Sequence, residues 1–226
     1  MNALVLAQGV LAAGILAGLV SRRRLHLGTS FALYLLSVAA FSVLYVAYVS
    51  WPHEFLSWPV WLVSEAIHGI LKVAMALEMS GLIFKSFPAA RRVGRAGIFL
   101  ILAATVVSIA LVRAPGFGDW AGNASGRAQY GAAFLFGWLL WLVLWYRIPL
   151  HPLHKAFLLA FVPYLLVFTV ANQALSTFGM RVHWYVSYLN VVAFLGMLAY
   201  WLRVTWQQEA VTDVHPGVAK TVQPWA

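Results

Sequence analysis

The chain has no cysteine. Disulfides, thiolate metal sites and cysteine nucleophiles are therefore excluded. Charge is also scarce. Only 9% of the 226 residues are Asp, Glu, Lys or Arg, where a soluble domain averages about 25%. Apolar residues make up 63%, against about 45–50% in soluble domains. These proportions exclude an ordinary globular domain and leave an integral membrane protein. No basic region precedes the first apolar run, and Ser21-Arg22-Arg23-Arg24 follows it instead. A secretory signal has its positive charge first, so this run reads as a retained helix. Catalytic patterns are missing too. The seven histidines form no HxxxH motif, so an enzyme is the least supported class.

Seven apolar segments can be marked out, over residues 3–20, 31–50, 59–84, 96–112, 128–145, 156–178 and 184–202. Each has about the 20 residues needed to cross a bilayer core, and together they leave no room for a soluble domain. The net charge of +9 is unevenly placed. Eleven of the fifteen Lys and Arg fall at 22–24, 85–95, 147–155 and 203–220, on one side of the predicted topology. Only Arg113, Arg127 and Arg181 fall on the other side, and Lys72 lies within a segment. Basic residues favour cytoplasmic loops. The expected fold is therefore an all-α integral membrane bundle of seven transmembrane helices, N-terminus outside and C-terminus inside. Residues 1–203 form the bundle, and 204–226 form a short cytoplasmic tail, partly disordered. The expected location is the cell membrane, as in a bacterial inner membrane.

Local features refine this plan. Gly14 and Gly18 form a GxxxG pair, with Gly9 also small, and such residues let helices approach closely. The stretch from Arg113 to Arg127 holds Pro115 and four glycines and reads as an irregular loop. Phe134, Trp138, Trp141 and Trp145 form a stripe at helical spacing. It serves either to pack against a neighbour or to wall an apolar ligand. Pro163 lies well inside segment six. His151 and His154 have metal-like spacing but no third ligand nearby.

The third segment carries the chemistry. It contains Glu65, His68, Lys72 and Glu78, and a charge near the bilayer centre costs about 2.5–3.5 kcal/mol on insertion scales. At about 100° per residue, Glu65, His68 and Lys72 share one face. Glu65–His68 is an i,i+3 pair and His68–Lys72 an i,i+4 pair, both close enough to interact. Glu78 lies roughly 110° away and deeper, so it is expected either to have a different partner or to snorkel to the cytoplasmic basic loops. The predicted topology sets further polar groups level with the triad: Tyr45 and Tyr48 on segment two, Asn172 and Gln173 on segment six, Tyr188 and Asn190 on segment seven. Glu65, His68 and Lys72 would then supply charge to an outward-facing pocket and the others hydrogen bonds. The competing reading is a buried Glu65–Lys72 ion pair bridged through His68.

Seven spans around a polar pocket in the outer half are similar to the rhodopsin and receptor plan. Microbial rhodopsins attach retinal to a lysine of the seventh helix. Segment seven has no lysine and Lys72 is in segment three, so that chemistry does not carry over. Ser64-Glu65, Glu78 and the Phe84-to-Pro88 exit resemble uncharacterised bacterial seven-span proteins, themselves similar to the membrane sensor modules of histidine kinases. The resemblance implies a membrane sensor whose short tail needs a separate output partner. Partners would be the lipid bilayer and a membrane or signalling protein, with no nucleic acid, and no cofactor is identified. The alternatives are a small-solute or proton-coupled transporter, for which no internal repeat is evident, and a non-catalytic subunit of a membrane complex.

Overall fold

The computed structural model describes residues 2–50, 57–113 and 116–207. Among them are seven long helices: α1 (Asn2–Ser21), α2 (Thr29–Ser50), α3 (Ser57–Ile83), α4 (Pro88–Ala110), α5 (Phe117–Trp145), α6 (Pro152–Phe178) and α7 (His183–Trp206). All seven are long and apolar enough to cross a membrane. With no water in the bilayer core, backbone groups must be satisfied within each segment, and apolar runs of this length do that as helices.

Short connections set helices that follow one another in the chain antiparallel. Six of them close a ring in the order α1, α2, α3, α5, α6, α7, and back to α1. Helix α4 lies outside the ring, against α5 and more lightly against α3. The GxxxG expectation has a structural counterpart. A Cβ on Gly18 would come within 2.8 Å of Thr205 Cγ2 on α7, and one on Gly9 within 2.9 Å of Ser42 Cβ on α2. Helix α1 is thus pressed against both its neighbours.

Two boundaries depart from expectation. Helix α4 begins at Pro88, so Arg91, Arg92 and Arg95 ride on its first turns rather than in a loop. Proline is well suited to a helix's first turn, where its missing N–H leaves no bond unmade. Helix α5 begins at Phe117, so most of the glycine-rich stretch read as irregular is helical. Ala121 and Ala124 are buried there, and tertiary packing of this kind overrides weak helix propensity.

The two ends of the ring differ. At the end holding the α1–α2 connection, Phe31, Phe136, Phe157, Phe161 and Trp201 are all buried. Their rings meet at 4.8 to 5.1 Å between centroids for Phe136–Phe161, Phe31–Trp201, Phe31–Phe157, Phe157–Phe161 and Phe157–Trp201. This aromatic plug leaves beside it a cavity of only about 20 Å³, little more than one water needs. At the other end the ring encloses open space.

Candidate functional site: a chamber with a bridged charge pair

That space is a chamber of about 650 Å³, within the range that holds a small organic molecule. Helix α2 contributes Tyr34, Phe41 and Tyr45, and α3 contributes Trp61, Glu65, His68 and Lys72. Helix α6 adds Tyr164 and Phe168, α7 adds Asn190 and Phe194, and α5 sends in Gln129. The walls are mainly aromatic and the polar groups are concentrated along α3.

Gln129 organises the charges. Its Oε1 accepts from Lys72 Nζ at 2.5 Å, and its Nε2 donates to Glu65 Oε2 at 3.0 Å. Ser125 Oγ donates to the same carboxylate oxygen at 2.8 Å. The geometry follows from the helices. Glu65 and Lys72 are two turns apart on α3, and Ser125 and Gln129 are an i,i+4 pair on one face of α5. Two parallel ladders therefore meet rung by rung. The bridge is made by Gln129, not by His68 as the ion-pair alternative had it. Among the described residues Glu65 Oε1 has no hydrogen-bond partner, and Lys72 uses one of its three N–H donors.

His68 stands apart from this chain. Its ring lies edge-on to Tyr34 and to Phe41, each at 5.5 Å. Its Nε2 is buried without a partner, as is Asn190 Oδ1. Buried polar atoms are nearly always hydrogen-bonded, so two orphans at one chamber mark a place where a ligand or water completes the bonding.

Of the nine residues expected at the site, the structure brings together Glu65, His68, Lys72, Tyr45 and Asn190. Tyr45 stands at the mouth, 40% exposed. Tyr48 lies outside the described side chains. Tyr188 is exposed and off the chamber wall. It is two residues from Asn190, about 200° around the helix, so only one of the two can face inward. Gln173 sits about 140° around α6 from Phe168. It accepts from Tyr130 Oη at 3.1 Å and lines an outer groove instead. Asn172 lies one turn beyond Phe168 and does not reach the lining. Polar groups that were not anticipated include Gln129, Ser125, Tyr34 and Tyr164, and Gln8 of α1 and Ser42 of α2 also line the chamber.

Of the two expectations for Glu78, the separate partner is the one seen. Its two oxygens accept from the backbone N–H groups of Thr29 and Ser30 at 2.8 and 2.7 Å. A carboxylate at the start of α2 satisfies unpaired amides and suits the helix dipole. The two histidines expected in a loop stand at the start of α6, His151 as its N-cap and His154 in its first turn, and are likewise engaged by backbone. His151 Nδ1 accepts from Leu153 N at 3.2 Å, and His154 Nε2 meets Leu27 O at 2.7 Å. No metal-binding group of three ligands occurs among the described residues. The tryptophan stripe does not border the chamber. Trp138 packs over Gly97 of α4, while Trp141 and Trp145 stack outward with substantial exposure.

A second cavity, of about 480 Å³, lies between α3, α4 and α5. It shares Glu65, Lys72 and Gln129 with the chamber. The bridged pair is thus a partition with space on both sides. No family model, curated protein or solved structure matches the chain.

Proposed function

We propose that this is a membrane sensor that binds a small molecule inside its seven-helix bundle. The observation that carries this reading is the chamber itself, with buried polar atoms left unpaired at His68 and Asn190 and with Glu65 and Lys72 on its wall. A pocket with apolar walls and a few placed polar groups is the usual form of a ligand site. On this reading the plugged, Arg-rich end faces the cytoplasm, as in a bacterial inner membrane, and the chamber opens outward. A ligand touching Asn190 acts directly on α7. The exit of that helix is held at the far end by Arg22, whose guanidinium donates to the carbonyls of Trp206 and Gln207 at 2.7 and 3.0 Å. Arg24 donates to Thr205 O at 3.2 Å. Ligand-dependent movement of α7 against this clamp would reach a signalling partner.

The test is occupancy. A compound library is screened by thermal shift on wild type and on Asn190→Trp, which fills the chamber. Compounds that stabilise wild type and leave the variant unmoved are expected. A library in which nothing distinguishes the two proteins rejects the reading.

One observation favours the second reading, a solute- or proton-coupled transporter. The cavity behind the bridge places open space on the other side of Gln129, which a solute or proton passing the bridge would enter. Uptake of a chamber ligand by proteoliposomes, lost in Gln129→Leu, would establish transport in place of sensing.

A further inference from the structure

We propose that the chamber takes an uncharged amphiphile whose polar head carries both a hydrogen-bond donor and an acceptor, such as an amide or a hydroxyl. This rests on the ligand-binding reading above and names the ligand class.

The charges argue for it first. Glu65 and Lys72 are tied together through one amide, oriented with its carbonyl to the ammonium and its N–H to the carboxylate. The site is therefore compensated before any ligand arrives. An anionic head drawn to Lys72 meets Glu65 two turns along the same helix, and a cationic head drawn to Glu65 meets Lys72. Between the chamber's apolar walls like charges are screened less than in bulk water, even where a few waters enter, so either charged head loses on one contact what it gains on the other. A neutral head incurs neither repulsion.

The unpaired atoms give the head its chemistry. Remaining acceptors include Glu65 Oε1 and Asn190 Oδ1, remaining donors include the spare N–H groups of Lys72, and His68 Nε2 serves as either according to its tautomer. Both kinds are present, so a head with one donor and one acceptor satisfies both. A pure acceptor such as an ether leaves the acceptors orphaned, which is costly when they are buried. Apolar walls then set the body. Phe41, Phe168 and Phe194 surround the space. The α3 lining from Trp61 to Lys72 runs about 16 Å at 1.5 Å per residue. An aryl or short alkyl group of that reach fits.

The experiment uses one body with three heads: 4-phenylbutyramide, 4-phenylbutyrate and 4-phenylbutylamine. Their binding to the full chain in lipid nanodiscs is measured by titration calorimetry. The amide is expected to bind wild type about ten-fold more tightly than either charged probe. Lys72→Met leaves the carboxylate uncompensated and should move the preference to the amine. Glu65→Gln should move it to the carboxylate. The wild-type ranking alone is decisive if a variant fails to fold. A wild type that prefers a charged probe overturns the ligand class while leaving the binding reading intact. A wild type that binds none of the three, while other compounds discriminate it from Asn190→Trp, also overturns the class alone. If no compound discriminates, the binding reading falls and takes this inference with it.

Discussion

Helix α3 carries two carboxylates, Glu65 and Glu78, in opposite halves of the bundle, and their surroundings differ in kind. Glu78 has both oxygens on the backbone of α2. Around it, His154, Arg22 and Arg24 also bond to backbone at helix ends. Polar side chains at that end close unsatisfied helix termini, which is structural work. Among the described residues Glu65 bonds only to the side chains of Ser125 and Gln129, both through one oxygen, and it lines the chamber. The lesson is that an ionisable residue in a membrane helix is not functional by type. What distinguishes the two is whether its hydrogen-bonding capacity is used up by the fold.

Removing atoms from each end should therefore have unequal effects. The largest is expected for Phe161→Ala, which empties the centre of the plug. Phe161 is fully buried, and deleting such a ring costs about 3–5 kcal/mol. Phe41→Ala, on the chamber wall, only enlarges space that already exists and should cost well under half as much. Equilibrium unfolding in detergent measures both, and equal losses would erase the distinction between the ends. Glu78→Ala comes next, at about 2 kcal/mol, because it strands two backbone amides. Gln129→Leu should cost less, about 1 kcal/mol, since water in the chamber can replace the lost bonds to Lys72 and Glu65. If Gln129→Leu proves the more damaging of the two, the bridge belongs to the fold rather than to a site.

Much of this was legible from residue order. Apolar length marks all seven helices, and the 3.6-residue period places Glu65, His68 and Lys72 on one face and Glu78 off it. That period cannot rotate a whole helix against its neighbours. Gln173 and Tyr188 were expected in the pocket from their depth alone, and the structure turns them away from it. Their depth is a property of sequence position, whereas their facing depends on packing. Gln129 was missed for another reason. With the helix expected to start at 128, it stood at a boundary, where polar residues are unremarkable. With α5 starting at Phe117, it lies about 18 Å into the helix, where a glutamine calls for a partner. The i,i+4 pair Ser125–Gln129, matched against Glu65–Lys72, was the available signal, and the glycines hid it.

Those glycines supply the smallest effect and a direct check on the helix that carries the bridge. Gly122 and Gly126 lie in the first turns of α5, and a Cβ at either would meet nothing within 4 Å. Glycine in a helix interior is less stable than alanine by roughly 0.5–1 kcal/mol, chiefly because the unfolded chain has more freedom to lose. Gly122→Ala should therefore raise stability by about that amount in the same unfolding assay. Gly18→Ala, where the added methyl meets Thr205 of α7, should lower it. The pair separates two reasons for a glycine, close approach at Gly18 and no steric need at Gly122. If Gly122→Ala destabilises instead, the segment is not helical, Gln129 returns to a helix end, and the two-rung bridge to Glu65 and Lys72 loses its support.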